Sequence, residues 1–112
     1  MKKMIITVSG FILLLMACSK TNVNYTADCG TTKSYATDVS PVIQSYCATN
    51  SGCHATGSSH GPGALTSYAQ VYSARSSIRT AVANGSMPQN GSLTNDQKNA
   101  IICWIDSGAL NN

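Results

Sequence analysis

Large aliphatic side chains are scarce in this sequence once its first 17 residues, discussed below, are set aside. The remaining 95 residues contain 13 Val, Ile and Leu residues, whereas Ser, Thr, Asn and Gly are abundant. A share of about 14% is below the roughly 20% that accompanies disorder in highly charged chains, but the charge here is too low for charge-driven disorder. A domain of this size and composition therefore needs a cross-link, a metal or a cofactor to complete its core.

Charged residues make up only 10% of the chain, and the acidic ones are four aspartates with no glutamate. This composition argues against catalysis by paired carboxylates. From Cys18 onward the chain contains five basic and four acidic residues. This near-neutral balance offers no basic surface for binding nucleic acid. The sequence contains no nucleophile–base pair, no phosphate-binding loop and no zinc-ligand spacing. It therefore predicts a protein that is not an enzyme and does not bind nucleic acid.

The first residues have the pattern of an export signal. Lys2 and Lys3 precede an apolar run over residues 4–16, which is too short for a membrane span. The segment Leu15-Met16-Ala17-Cys18 resembles the bacterial lipobox, in which cleavage precedes a lipid-modified cysteine. We expect removal of residues 1–17, lipidation of Cys18, and a polar tether and arm over residues 18–34. The alternative is an ordinary secretory signal with a coincidental cysteine.

Helical signals recur from Val39 onward, whereas no run alternates as a strand would. Ser40-Pro41 offers an N-cap followed by proline at the first helical position, and Thr94 with Gln97 fits a capping box. The predicted helices begin at Ser40, at Thr66 or Ser67, at Ala74 and at Thr94; Asn84-Gly85 and Gly108 end the last two. The sequence therefore predicts an all-α class with long loops.

Two cysteines and a histidine form the central motif, because Cys53 is followed at once by His54 and preceded by Cys47. Covalent haem attachment uses two thiols, one for each vinyl group, and a histidine directly after the second thiol. The usual spacing is Cys-x-x-Cys-His, whereas five residues separate the cysteines here. An alternative is a local Cys47–Cys53 disulfide that closes a short loop, with His54 as a loop residue.

Met87 is the only methionine after residue 17, and it lies in a loop rich in Gly, Asn and Pro. A buried methionine usually fills a core, but core residues are scarce in such a loop. A thioether opposite an imidazole is a common axial pair in electron-transfer haems. Met87 is therefore a candidate second iron ligand, and His60 is the alternative.

Over residues 39–109 these features resemble the small monohaem cytochrome c domains of bacterial exported lipoproteins. The resemblance implies an all-α, cytochrome c-like domain over residues 35–112, with three to four short helices around one haem and the N- and C-terminal helices packed together. It implies one covalent haem c held by Cys47 and Cys53, with His54 as proximal and Met87 as distal iron ligand. Pro62, in a segment like the family's Gly-Pro-x-Leu, is the candidate acceptor that orients the proximal imidazole.

The remaining cysteines, Cys29 and Cys103, are expected to pair in an oxidising compartment and so to pin the arm onto the last helix. A free or intermolecular thiol is the alternative. Arg75 and Arg79, one turn apart, are candidates for contact with haem propionates or for a solvated helix face.

The predicted function is electron transfer by a monomeric cytochrome lipoprotein with redox protein partners. It is expected outside the cytoplasmic membrane, attached by its lipid and facing the periplasm or the cell exterior. Two alternatives remain at this point. One is a cofactor-free, disulfide-stabilised module for adhesion or envelope structure, and the other is a haem-based ligand sensor whose sixth site opens.

Replacing the lipid-bearing cysteine tests the predicted anchor. The Cys18→Ser variant should lose the lipid and leave the membrane fraction, because serine offers no thiol for acylation. Fractionation and the intact mass of the exported protein report both effects. Membrane association equal to that of the wild type would contradict the lipid anchor.

Overall fold

The structure is a computed structural model that describes residues 24–112. The predicted cleavage after Ala17 and the lipidation of Cys18 lie outside the described residues. The arm begins within them at Asn24 and has no helix before Tyr35.

Four α-helices make up the fold of the part of the chain that the structure describes. A π-helical turn, Tyr35–Val39, leads directly into α1 (Ser40–Tyr46), and α2 (Tyr68–Ser73), α3 (Arg75–Ala83) and α4 (Asn95–Asp106) follow. Residues 24–112 contain no strand, so the all-α class is confirmed for this part of the chain. None of these helices combines the length and the hydropathy needed to cross a bilayer.

The first helix begins earlier than the sequence predicts. Ser34 caps it by accepting a hydrogen bond at Oγ from the Thr37 amide at 3.2 Å, and the Ser34 amide donates to Asp38 Oδ2 at 2.8 Å. This reciprocal pair satisfies amides that a helix start leaves free. Ser40 lies inside the resulting helical segment, so its prediction as the N-cap was wrong.

The other helix boundaries follow the capping signals. Ser67 and Gln70 form a capping box at α2, which decides between the two predicted caps, and Thr94 and Gln97 form one at α4. The stop after α3 uses Gly85 at φ +75°, a conformation that glycine adopts without steric cost.

The closed core lies where α4 meets α3 and the π-helical turn. Trp104 is 1% exposed, its ring centroid lies 5.4 Å from that of Tyr35 and 6.3 Å from that of Tyr68, and its Nε1 donates to the Leu110 carbonyl at 2.8 Å. The first helical segment thus packs on the last one through aromatic side chains.

The predicted cross-link is confirmed. A disulfide joins Cys29 to Cys103 and bridges 74 positions of sequence, which fixes the arm to the last turn of α4. Closing so long a loop restricts the unfolded chain and stabilises the fold.

Trp104 should dominate the stability of this core. Trp104→Ala should lower the free energy of unfolding by roughly 3–5 kcal/mol, because it empties a closed site. Trp104→Phe keeps a ring and loses the Leu110 hydrogen bond, so its loss should be clearly smaller. Urea unfolding followed by circular dichroism measures both, and equal losses would contradict this packing argument.

Candidate functional site

A cavity of about 300 Å³ opens between the end of α1, the loop after it and the loop between α3 and α4. Such a volume is at the lower end of the range for small-molecule sites. Five of the residues singled out from the sequence line it: Cys47, Cys53, His54, His60 and Met87. These positions span 40 residues of sequence, and the fold brings them to one place.

The long Cys47–Cys53 spacing folds into a compact turn organised by Asn50. Its Oδ1 accepts hydrogen bonds from the amides of Gly52 at 2.9 Å and Cys53 at 3.1 Å. The His54 amide donates to the Cys47 carbonyl at 3.0 Å. The extra residues therefore bulge outward, and the two ends of the turn remain bonded to each other.

His54 is held by the loop that follows it. The ring is 8% exposed, and its Nδ1 lies 2.9 Å from the Gly63 carbonyl oxygen. A carbonyl can only accept, so Nδ1 carries a hydrogen, and the neutral tautomer that makes this bond has its lone pair on Nε2. The Leu65 amide donates to the His54 carbonyl at 2.7 Å, which closes the loop around the ring. The orienting acceptor is thus Gly63, whereas the sequence suggested its neighbour Pro62.

Met87, in the loop between α3 and α4, lines the same cavity as the two cysteines and His54. It is half-buried and lines both the main cavity and an adjoining apolar cavity of about 130 Å³. The two cavities share Cys47, His54, Gly61 and Met87. The aliphatic side chains that wall the smaller one are Ile43, Leu65, Ile78, Ala81 and Val82.

Both thiols of the motif are free in this structure, so the local disulfide considered as an alternative is not formed. Burial and, as the smaller cause, the neighbouring Cys53 together raise the pKa of Cys47 from 9.0 to about 11. Cys47 is buried, whereas Cys53 is half-buried.

No family model, no curated protein and no solved structure matches this chain. The chemistry of the site rests on its own residues: two thiols, an oriented imidazole and a thioether, beside an apolar inner cavity. Within residues 24–112, no three His, Cys, Asp or Glu side chains cluster as an ion site.

The remaining candidates differ in where the structure places them. His60 lines the main cavity but is exposed. Arg75 stacks on Tyr72, with its Cζ 4.0 Å from the ring centroid, and Arg79 pairs with Asp106 at 2.6 Å. Neither arginine lines the cavities described above; Arg79 is exposed and Arg75 is half-buried.

The contrasting burial of the two thiols predicts a specific pH dependence. In the haem-free chain the alkylation rate of Cys47 should keep rising past pH 9 toward about pH 11, because only the thiolate reacts. In denaturant the alkylation rate of the same thiol should level off near pH 9, because the pKa of Cys47 then has its unperturbed value of 9.0. The folded state therefore loses stability as the pH rises between these two values, since the unfolded chain releases this proton first.

Mass spectrometry of labelled peptides resolves Cys47 from the other cysteines. The Cys53→Ser variant serves as a control, because burial is the larger cause and the raised pKa should persist without the second thiol. A folded-state profile that levels off near pH 9 would contradict the buried placement of Cys47.

Proposed function

We propose that this protein is a monohaem c-type cytochrome that carries electrons outside the cytoplasmic membrane. The observation that supports the proposal most strongly is the shared cavity: Cys47, Cys53, His54 and Met87 all line it. Two thiols, an imidazole and a thioether are the groups that a covalently attached, His/Met-ligated haem requires. They converge although the cysteine spacing departs from the usual motif.

The donor set fits such a group in its chemistry. Both thiols are free to form thioether bonds, and in the neutral ring of His54 the lone pair lies on Nε2, because Nδ1 donates its hydrogen to Gly63. The hydrogen bond at Nδ1 fixes the ring orientation and increases the basicity of the coordinating nitrogen. The apolar wall around Ile43, Leu65 and Ile78 suits the hydrophobic face of a porphyrin, and it keeps water away from the metal.

When bound, the haem would supply an iron that accepts and releases one electron. The chain would hold both iron ligands in place in either oxidation state: His54 through its hydrogen bond to Gly63, and Met87 through the loop between α3 and α4. Ligands that stay in place keep the reorganisation on electron transfer small. The thioether favours the reduced state and so raises the reduction potential.

The partners in this proposal are redox proteins that reach the mouth of the cavity. Within residues 24–112 no Asp, Glu, Lys or Arg side chain lines this cavity, and the exposed residues of its lining include Tyr46, Thr49, Gln89 and Asn90. A lipid on Cys18 would keep the domain at the membrane surface, and electron transfer without substrate conversion makes the protein a carrier and not an enzyme.

Two alanine variants separate the proposed ligand from its neighbour. Met87→Ala should lower the reduction potential, change the ferric spectrum and open the iron to carbon monoxide, because the thioether is lost. His60→Ala removes another side chain of the same cavity and should change none of these. Both proteins are to be produced with a periplasmic cytochrome c maturation system and compared by spectroscopy and redox titration.

The opposite results identify the alternatives. Changed ligation in His60→Ala with none in Met87→Ala would move the distal ligand to His60. Ready carbon monoxide binding by the wild type would point to a ligand sensor. A protein without visible absorbance that carries a Cys47–Cys53 disulfide would contradict the cytochrome and support a cofactor-free module.

A further inference from the structure

The loop that carries Met87, residues 84–93, joins the end of α3 to the start of α4. A hydrogen bond ties Met87 to α3: its amide donates to the Ala81 carbonyl at 3.3 Å, and Ala81 lies in the last turn of α3. The position of Met87 therefore depends on how firmly the end of α3 is held against α4.

Residues 24–29 of the arm contact both helices beside this loop. The Tyr25 amide donates to the Ala83 carbonyl at 2.7 Å, at the last residue of α3. The Tyr25 hydroxyl donates to Asn99 Oδ1 on α4 at 2.9 Å. One residue of the arm thus connects the two helices where the loop leaves the first of them.

Asn99 accepts a second hydrogen bond from the arm. The Asp28 amide donates to the same Oδ1 at 3.0 Å, and Lys98 Nζ lies 4.8 Å from the centroid of the Tyr25 ring. One turn further along α4, Cys103 forms the disulfide with Cys29. Hydrogen bonds and a covalent bond therefore fix the arm along one face of α4.

We propose that the arm is a positioning element for Met87, with Asn99 as the positioning residue that receives it. Through Tyr25, the arm holds the end of α3 in place and so limits the movement of the Met87 loop away from the cavity. The inference deepens the proposed function and rests on it, because it assigns to the arm the control of the second axial ligand.

The test compares Asn99→Ala with Asn99→Asp. Alanine removes the acceptor shared by Tyr25 and Asp28, whereas aspartate keeps an acceptor oxygen at the same position. Both variants retain the disulfide, so the covalent cross-link still supports the fold. Tyr25→Phe, which loses only the hydroxyl, is a milder second variant should Asn99→Ala unfold.

Two readouts follow Met87 directly. Amide hydrogen exchange at Met87 should be about tenfold faster in Asn99→Ala, as expected from the loss of two hydrogen bonds that support the loop, and close to the wild-type rate in Asn99→Asp. In the haem-bearing protein the ferric signature of methionine ligation should weaken and the reduction potential should fall in Asn99→Ala alone.

Arg79→Gln is the matched control. It breaks the ion pair between α3 and α4 at Asp106, at the end of α4 away from the loop, and leaves the arm untouched. It should leave exchange at Met87 and the ligation signature unchanged. Equal effects of Asn99→Ala and Arg79→Gln, or no effect of Asn99→Ala, would overturn the positioning role.

Hydrogen exchange keeps the two proposals separable. It is measured on the exported protein as purified, whether or not haem is attached. Protein that contains no haem but shows the predicted exchange pattern would contradict the cytochrome while supporting the mechanical link from the arm to the loop. Haem ligation by Met87 that does not change in Asn99→Ala would support the cytochrome and contradict the link from the arm to the loop.

Discussion

Aliphatic side chains are too few in this chain to fill both of the spaces that its helices enclose. One group of side chains closes the core around Trp104, where α4, α3 and the π-helical turn meet. Ile43, Ile78 and Val82 belong to the same buried cluster and also form one wall of the smaller apolar cavity. The disulfide between Cys29 and Cys103 stabilises the closed half. A flat apolar cofactor in the other half would supply the buried surface that the sequence lacks.

The part of the fold around the cavity is organised mainly by hydrogen bonds in which backbone groups take part. The Gly63 carbonyl fixes the tautomer of His54, Asn50 folds the turn between the cysteines, and the His54 amide returns to the Cys47 carbonyl. None of these contacts needs large side chains. A chain rich in Ser, Asn and Gly can therefore build an ordered site with few aliphatic residues.

The all-α class of residues 24–112, the cap at Thr94 and the Cys29–Cys103 disulfide were predictable from the sequence, because each depends on local chemistry or on a small number of candidates. The cap of α2 was narrowed to Thr66 or Ser67. The N-cap of the first helix was not predictable, because Ser34 and Asp38 form it ahead of a Ser-Pro pair that also fits the pattern of a helix start. Gly63 was missed in favour of Pro62 because a one-residue shift in an irregular loop leaves no trace in composition. The role of Asn50 has a weak signal in the sequence Asn-Ser-Gly, which favours a turn. The bonds from the arm to Ala83 and Asn99 arise only from tertiary packing. Covalent haem attachment and the redox role remain proposals.

The intact mass of the exported protein, measured under denaturing conditions, tests the central claim most directly. The protein is to be produced with more than one cytochrome c maturation system, since the five-residue spacing differs from the usual motif, and a Cys47→Ala/Cys53→Ala variant serves as the control. The account predicts the mass of the processed chain plus one haem, with no such gain in the variant. A wild-type mass that shows two disulfides and no haem in every system would contradict it.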